Sequence, residues 1–398
     1  WGIRADEGSI TVADGATYSV TSNGQGGLFA TQGVSLPPGF VVDDNGGPGI
    51  VVWSIGDTRL ESVRVRGNRG VGIGVVTTNQ AGRGAGRGLI LEGDGNQIVD
   101  NAGDGIVAAS GSVTILGETE IRGNNGWGIV AEEGSVTIAD TAMDALRDNG
   151  RGGLFAGYKL TLPPGFAVEE NGGPGIVVWG NQDTELQDIS VQENLGVGIS
   201  IAGGSPSEPD GLPSLILRGT DNRIVNNHGD GLRASPGSVS IRGGTQIRDN
   251  GGWGLFTEIG SVRVSQGALE GITGNGLGGI YASGGLELPE GFLLVGNGGP
   301  GIRLQNGNLQ LTDVRIRKNG DHGIDLERAG LILRGSDSDV RDNRGDGVRA
   351  YASAVSVTQA DISHNDGWGV RAYGAGPLAM STTTLQNNAL GGILGGDV

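Results

Sequence analysis

An asparagine returns about every two dozen residues along this chain, and that recurrence limits the fold more than any other feature. It stands just before a glycine and an aliphatic residue at Asn23, Asn45, Asn68, Asn101, Asn125, Asn149, Asn171, Asn194, Asn227, Asn250, Asn275, Asn297, Asn319, Asn343, Asn365 and Asn388. Of the fifteen intervals, thirteen run 22 to 25 residues and two run 33. Self-similarity at a fixed period of this length means a solenoid, in which each unit buries its apolar face only by stacking on the next.

Between the asparagines there is no apolar period of 3.6 residues. Short alternation takes its place, as in Ser9-Ile-Thr-Val12, Ser112-Val-Thr-Ile115, Ser135-Val-Thr-Ile138, Ser238-Val-Ser-Ile241, Ser261-Val-Arg-Val264 and Ala354-Val-Ser-Val357. These read as half-buried strands. A second strand follows the corner glycine (Gly175-Ile-Val-Val178) and a third runs into the asparagine (Glu61-Ser-Val-Arg-Val65). Three short strands and three turns per unit predict an all-β, parallel β-helix of about 16 coils, with like strands stacked about 4.8 Å apart. Leucine-rich repeats share the unit length but need a leucine ladder and a helical segment. Asparagine and glycine suit sharp corners, where φ > 0 is often required. Stacked asparagines can also bond amide to amide along the axis, so the sixteen are expected to form a structural ladder.

The Asn-x-Gly-x-Gly-Ile signature, as in Asn101-Ala-Gly-Asp-Gly-Ile106 and Asn194-Leu-Gly-Val-Gly-Ile199, resembles the right-handed parallel β-helix repeat of the pectate-lyase-like superfamily. The resemblance spans essentially the whole chain. It implies the fold but no single activity, since that superfamily holds lyases, hydrolases, epimerases, tailspikes and adhesins.

The coils group into a cycle of five. Asn45-Gly-Gly-Pro-Gly-Ile-Val-Val-Trp53 recurs as Asn171-Gly-Gly-Pro-Gly-Ile-Val-Val-Trp179, and Trp-Gly opens a cycle at Trp1, Trp127, Trp253 and Trp368. Residues 1–398 are therefore read as one continuous β-helix with super-repeats 1–126, 127–252, 253–367 and a partial fourth, 368–398. Insertions near Thr77–Gly88 and Gly203–Gly211 lengthen one coil in each of the first two copies and are expected to be surface loops. No capping unit is apparent at either end, so end-to-end or flanking-domain contacts are expected there.

Glycine makes up 82 of 398 residues and proline only 13, with no Gly-X-Y period, which fits turn-dense β structure. A net charge of −17 argues against nucleic acid and anionic membranes as partners. It also disfavours polyanionic sugars unless a basic groove or bound cations intervene. There are no cysteines, hence no disulfides or thiolate metal sites. No apolar run is long enough for a transmembrane helix.

The copies also serve as internal controls. What persists among them is glycine, asparagine, proline, aromatic and aliphatic residues, which build turns and cores. The three histidines are not retained: His228 stands where the other copies have Ala102 and Arg344, His322 where they have Val71 and Val197, and His364 precedes Asn365. Single corner histidines are expected to be solvent-exposed bystanders, and no catalytic residue is assigned. Arg315-Ile-Arg-Lys318 and Asp321-His-Gly323 loosely resemble polygalacturonase elements but in reversed order, so nothing is carried over. Asp104, Asp230 and Asp346 recur in Gly-Asp-Gly corners; they are candidates for a sugar or calcium contact, against a plain turn role. Calcium wants six to eight oxygens, and one aspartate supplies few. Trp53 and Trp179 are either sugar-stacking platforms or core.

These features point to a non-catalytic, extracellular or cell-surface β-solenoid. It would act as a rigid scaffold whose partners are polysaccharide or other surface proteins, without inserting into a membrane. The alternative is a polysaccharide lyase, hydrolase or epimerase. A groove holding two or more carboxylates and an arginine within a few ångströms would favour the alternative.

Overall fold

The computed structural model describes residues 1–15, 19–77, 87–143, 145–203, 212–374 and 376–396. They fall into two compact units, Trp1–Gly196 and Val197–Val398. Each is a right-handed parallel β-helix, with about 16 turns in all and no helix among the described residues. The two expected insertions lie, at 78–86 and 204–211, outside the described residues.

Every turn carries the three strands that the alternation predicts. The post-corner strand follows the corner glycine, the middle strand is of the Ser-Val-x-Ile type, and the pre-corner strand runs into the asparagine. Observed middle strands include Ser9–Thr11, Ser112–Ile115, Val136–Ile138, Ser238–Ile241, Val262–Val264 and Val355–Thr358. Like strands pair in register. In unit 1 the inward residues Ile3, Leu28, Ile50, Ile73, Ile106, Ile129, Leu154 and Ile176 stand in one column. In unit 2 the column is Ile199, Leu232, Leu255, Ile280, Ile302, Ile324, Val348, Val370 and Ile393. Because the side-chain period is two, a slip of one residue would turn a whole column outward, so the aliphatic pattern fixes the register. Most of these residues are fully buried, and truncating one to alanine costs about 2–5 kcal/mol.

The asparagines form the expected ladder. In unit 1 it runs Asn23, Asn45, Asn68, Asn101, Asn124, Asn149, Asn171, Asn194, with each Nδ2 donating to the next Oδ1 at 2.9–3.2 Å. In unit 2 it runs from Asn227 to Asn388 at 2.9–3.1 Å. Each Oδ1 also accepts the backbone N–H of the preceding rung, as Asn68 does from Asn45 at 3.1 Å. Spare Nδ2 protons reach backbone carbonyls, as Asn45 to Val20 at 3.0 Å. Aspartate could not replace asparagine here, because the rung must donate and accept at once.

One rung differs from expectation. Asn124, not Asn125, is the ladder residue; Asn124 is fully buried and Asn125 is exposed. The cause lies in the corner. The positive φ belongs to the residue before the rung, as at Asp44, Asp100 and Asp249. Gly123 takes it here (φ 66°), which turns the next side chain, Asn124, inward. The sequence carried a signal for this: rungs stand five residues before the inward aliphatic, and Ile129 selects Asn124.

Glycine is required where coils touch through their backbones. A Cβ on Gly47 would lie 1.7 Å from the Gln25 carbonyl oxygen, and one on Gly72 would lie 2.6 Å from that of Gly105. Much of the unusual composition is the cost of stacking bare corners.

Candidate functional site

The post-corner strands of each unit form one parallel sheet, and their outward residues form straight rows. In unit 1 the main outward row is Arg4, Phe29, Val51, Gly74, Val107, Val130, Phe155 and Val177. In unit 2 the same row is Ser200, Arg233, Phe256, Tyr281, Arg303, Asp325, Arg349, Arg371 and Leu394. Beside it runs a second row containing Glu327, Tyr351 and Tyr373. The polar side chains enclose a cleft of about 330 Å³ lined by Arg303, Asp325, Glu327, Arg349, Tyr351, Arg371 and Tyr373.

Asp325 is the centre of this cleft. It is buried, although it belongs to an outward row, because guanidinium groups close over it. Arg349 donates Nε to its Oδ1 at 2.8 Å and Nη2 to its Oδ2 at 2.7 Å. Arg303 approaches Oδ2 at 3.7 Å. The bidentate geometry fixes the Arg349 plane, and its hydrogen bond to Asp325 holds the guanidinium pKa above its ordinary value. One coil on, Arg371 lies over the Tyr373 ring at 4.8 Å and donates Nε to the phenol oxygen. Toward the start of the row, Arg233 lies 4.5 Å over Phe256, which stacks on Tyr281 at 4.6 Å. Tyr281 donates to Gln305 at 2.8 Å, and burial raises its phenol pKa.

The corner that leads into the Asp325 strand holds His322. His228 and His364 are exposed, as expected of corner histidines, but His322 is buried. Its Nδ1 accepts the Asp346 backbone N–H at 2.7 Å. That assigns the ring proton to Nε2, which faces Asp321 at 3.3 Å. Burial and then the Arg349 cation push the imidazole below its ordinary value, against the opposing pull of Asp321, Asp346 and Asp325. The sequence does not reveal this, because the ring's neighbours Gly345 and Asp346 belong to the next coil.

Asp104, Asp230 and Asp346 share a single structural task. Their Oδ1 atoms accept the backbone N–H of Trp127, Trp253 and Trp368 in the next coil, at 2.6, 2.7 and 2.7 Å. This explains why Gly-Asp-Gly is always followed, one coil later, by Gly-Trp or Asn-Gly-Trp. The glycine before each tryptophan leaves room for the carboxylate. The remaining oxygens differ: Oδ2 of Asp230 meets Arg233 at 3.0 Å, and Oδ2 of Asp346 lies 3.8 Å from Arg371. The three carboxylates stand in separate corners and do not converge, and no group of three or more metal-ligating side chains occurs among the described residues.

Trp53 and Trp179 belong to unit 1. Both point outward from the post-corner face, 45% and 61% exposed, and Trp53 meets Phe29 edge-on at 5.8 Å. They are surface residues of an apolar face.

No helix among the described residues is long and apolar enough to cross a membrane. A family model described as right handed beta helix region matches residues 300–397, the stretch that includes this cleft. No curated protein and no solved structure shows significant similarity to the chain.

Proposed function

We propose that this right-handed β-helix is a scaffold whose post-corner face in unit 2 binds a glycan chain, outside the cell or at its surface. The observation that carries this reading is the row of aromatic rings interleaved with anchored arginines from Arg233 to Tyr373. Rings offer faces to sugars. Arginines held by carboxylates offer hydrogen bonds in fixed directions. The net charge of −17 had weighed against anionic sugars, but local charge matters more at contact. Here Arg303, Arg349 and Arg371 stand against Asp325, Glu327 and Asp346, so the cleft suits a neutral or weakly acidic polymer. Its volume accommodates one sugar unit at a time, and the straight rows let a chain extend along them.

The reading is non-catalytic because the carboxylate at the centre of the cleft is already engaged. Both Asp325 oxygens are taken by Arg349. Asp346 Oδ1 is taken by Trp368, and its buried Oδ2 makes no hydrogen bond among the described residues but lies 3.8 Å from Arg371. The alternative, a polysaccharide lyase, hydrolase or epimerase, is favoured by one observation: two carboxylates and arginines do converge within a few ångströms. A polysaccharide array separates the two. Binding is expected without new reducing ends or unsaturated products, and is expected to vanish in Tyr351→Ala/Tyr373→Ala. Turnover would establish the enzyme. Unchanged binding in the double variant, or none by the native protein, would remove the glycan reading. Detection of the protein only inside intact producing cells would refute the location.

A further inference from the structure

The pre-corner faces hold a second kind of feature, and it is duplicated. Unit 1 has a hollow of about 530 Å³ around Glu120, Arg122, Ala145 and Arg147. Unit 2 has one of about 400 Å³ around Gln246, Arg248, Gly271 and Thr273. Each residue of the second set lies 126 positions after its counterpart in the first. Both hollows thus occur where one five-coil cycle meets the next.

The cause is a dropped side chain. On these faces Gln97 pairs with Glu120 in unit 1, with Ala145 on the next strand. In unit 2 Arg223 pairs with Gln246, and the ladder then shifts register so that Glu270 and Gly271 both lie opposite Gln246. Ala145 or Gly271 leaves a floor, and the longer neighbours become walls. At the junction ending the third cycle Thr384 occupies the floor position and Ser363 replaces the arginine.

We propose that the two hollows are equivalent binding sites for a neutral, hexose-sized polyhydroxylated ligand. The chemistry of the walls sets the class. Arg122 is tied to Glu120 at 2.5 Å, Arg147 stands 4.0 Å from Asp148, and Arg248 is tied to Asp249 at 2.5 Å, so each cation already has a carboxylate beside it. Each wall instead pairs a guanidinium donor with a carboxylate or amide acceptor, Glu120 in one unit and Gln246 in the other. Vicinal hydroxyls, each both donor and acceptor, satisfy that pairing whichever acceptor is present. The volumes fall within the range of small-ligand sites. These sites lie on a different face from the glycan cleft and do not depend on it.

The test is ligand-observed saturation-transfer NMR with methyl glycosides of glucose, galactose and mannose. It is run in the Tyr351→Ala/Tyr373→Ala background, so that hexose held by the cleft does not contribute. At least one glycoside is expected to give a transfer signal. Ala145→Trp, which fills the first hollow, and Thr273→Trp, which narrows the second, should each remove about half of it, and together nearly all. If a tryptophan variant unfolds, Glu120→Ala and Gln246→Ala replace the pair, with the same expectation. No signal from any glycoside, or a signal surviving both substitutions, would overturn the proposal.

Discussion

The same outward row on the same face carries opposite chemistry in the two units. Position by position, Arg303, Asp325, Arg349 and Arg371 of unit 2 correspond to Val51, Gly74, Val107 and Val130 of unit 1, and Tyr281 corresponds to Phe29. The inward columns beside them are almost interchangeable: Ile302, Ile324 and Val348 against Ile50, Ile73 and Ile106. Packing density tolerates little change inside, while an outward side chain answers only to solvent and its neighbours along the row. The rows differ as an apolar strip in unit 1, which includes Phe29 and Phe155, against a charged one in unit 2.

The largest expected effect concerns what the units share. Asn171→Ala in unit 1 and Asn297→Ala in unit 2 each leave two buried donors of the preceding rung without an acceptor. Each should cost about 2–6 kcal/mol, at about 1–3 kcal/mol per orphaned group. Urea unfolding followed by hydrogen exchange would measure both. A large loss in one unit alone would break the equivalence of the two ladders.

The next effect separates the units. Arg349→Val makes unit 2 resemble unit 1 but strips Asp325 of its bidentate partner. A loss of about 2 kcal/mol is expected, below the usual cost of breaking a buried pair because Arg349 is more than a third exposed. Adding Asp325→Val should restore most of it, since an apolar row is a stable alternative. Failure of the double variant to recover in thermal melts would mean that the charged row supports the fold itself.

A smaller effect depends on pH. The His322 pKa is depressed in the folded protein, so the unfolded chain binds more protons as pH falls below about 6.5, the ordinary imidazole value. The contribution is therefore fully present above that value and is lost as pH drops through it and toward the folded pKa. His322→Val, the residue found at position 71 in unit 1, should flatten this part of the pH–stability curve. An unchanged slope would show that other groups carry it.

The smallest effects on stability are expected at the surface. Trp53→Ala and Tyr351→Ala should each stay within about 0.5 kcal/mol of the native protein, because both side chains are largely exposed. Only Tyr351→Ala should weaken glycan binding in the array. Equal loss from both would extend the glycan surface to unit 1.

Much of this was legible in the chain itself. The asparagine period, the strand alternation and the glycine corners specified a parallel β-helix, because stacking repeats an identical local rule at every coil. Even the misplaced rung at Asn125 was recoverable from the five-residue spacing to Ile129. The cleft was not legible in this way. Asp325, Arg349, Arg371 and His322 are dispersed over the 50 positions from His322 to Arg371, in a chain where single outward residues look like drift.

What the sequence determined by itself was the winding: which residues turn inward, where the chain bends, and which amides stack. What only the tertiary structure decided was the company each outward residue keeps. Stacking brings positions some 22–24 residues apart into adjacent strands, so Asp325 becomes buried beneath arginines of other coils and His322 against Gly345 and Asp346 of the next coil. Burial and charge are properties of that neighbourhood, and no residue carries them in its own name.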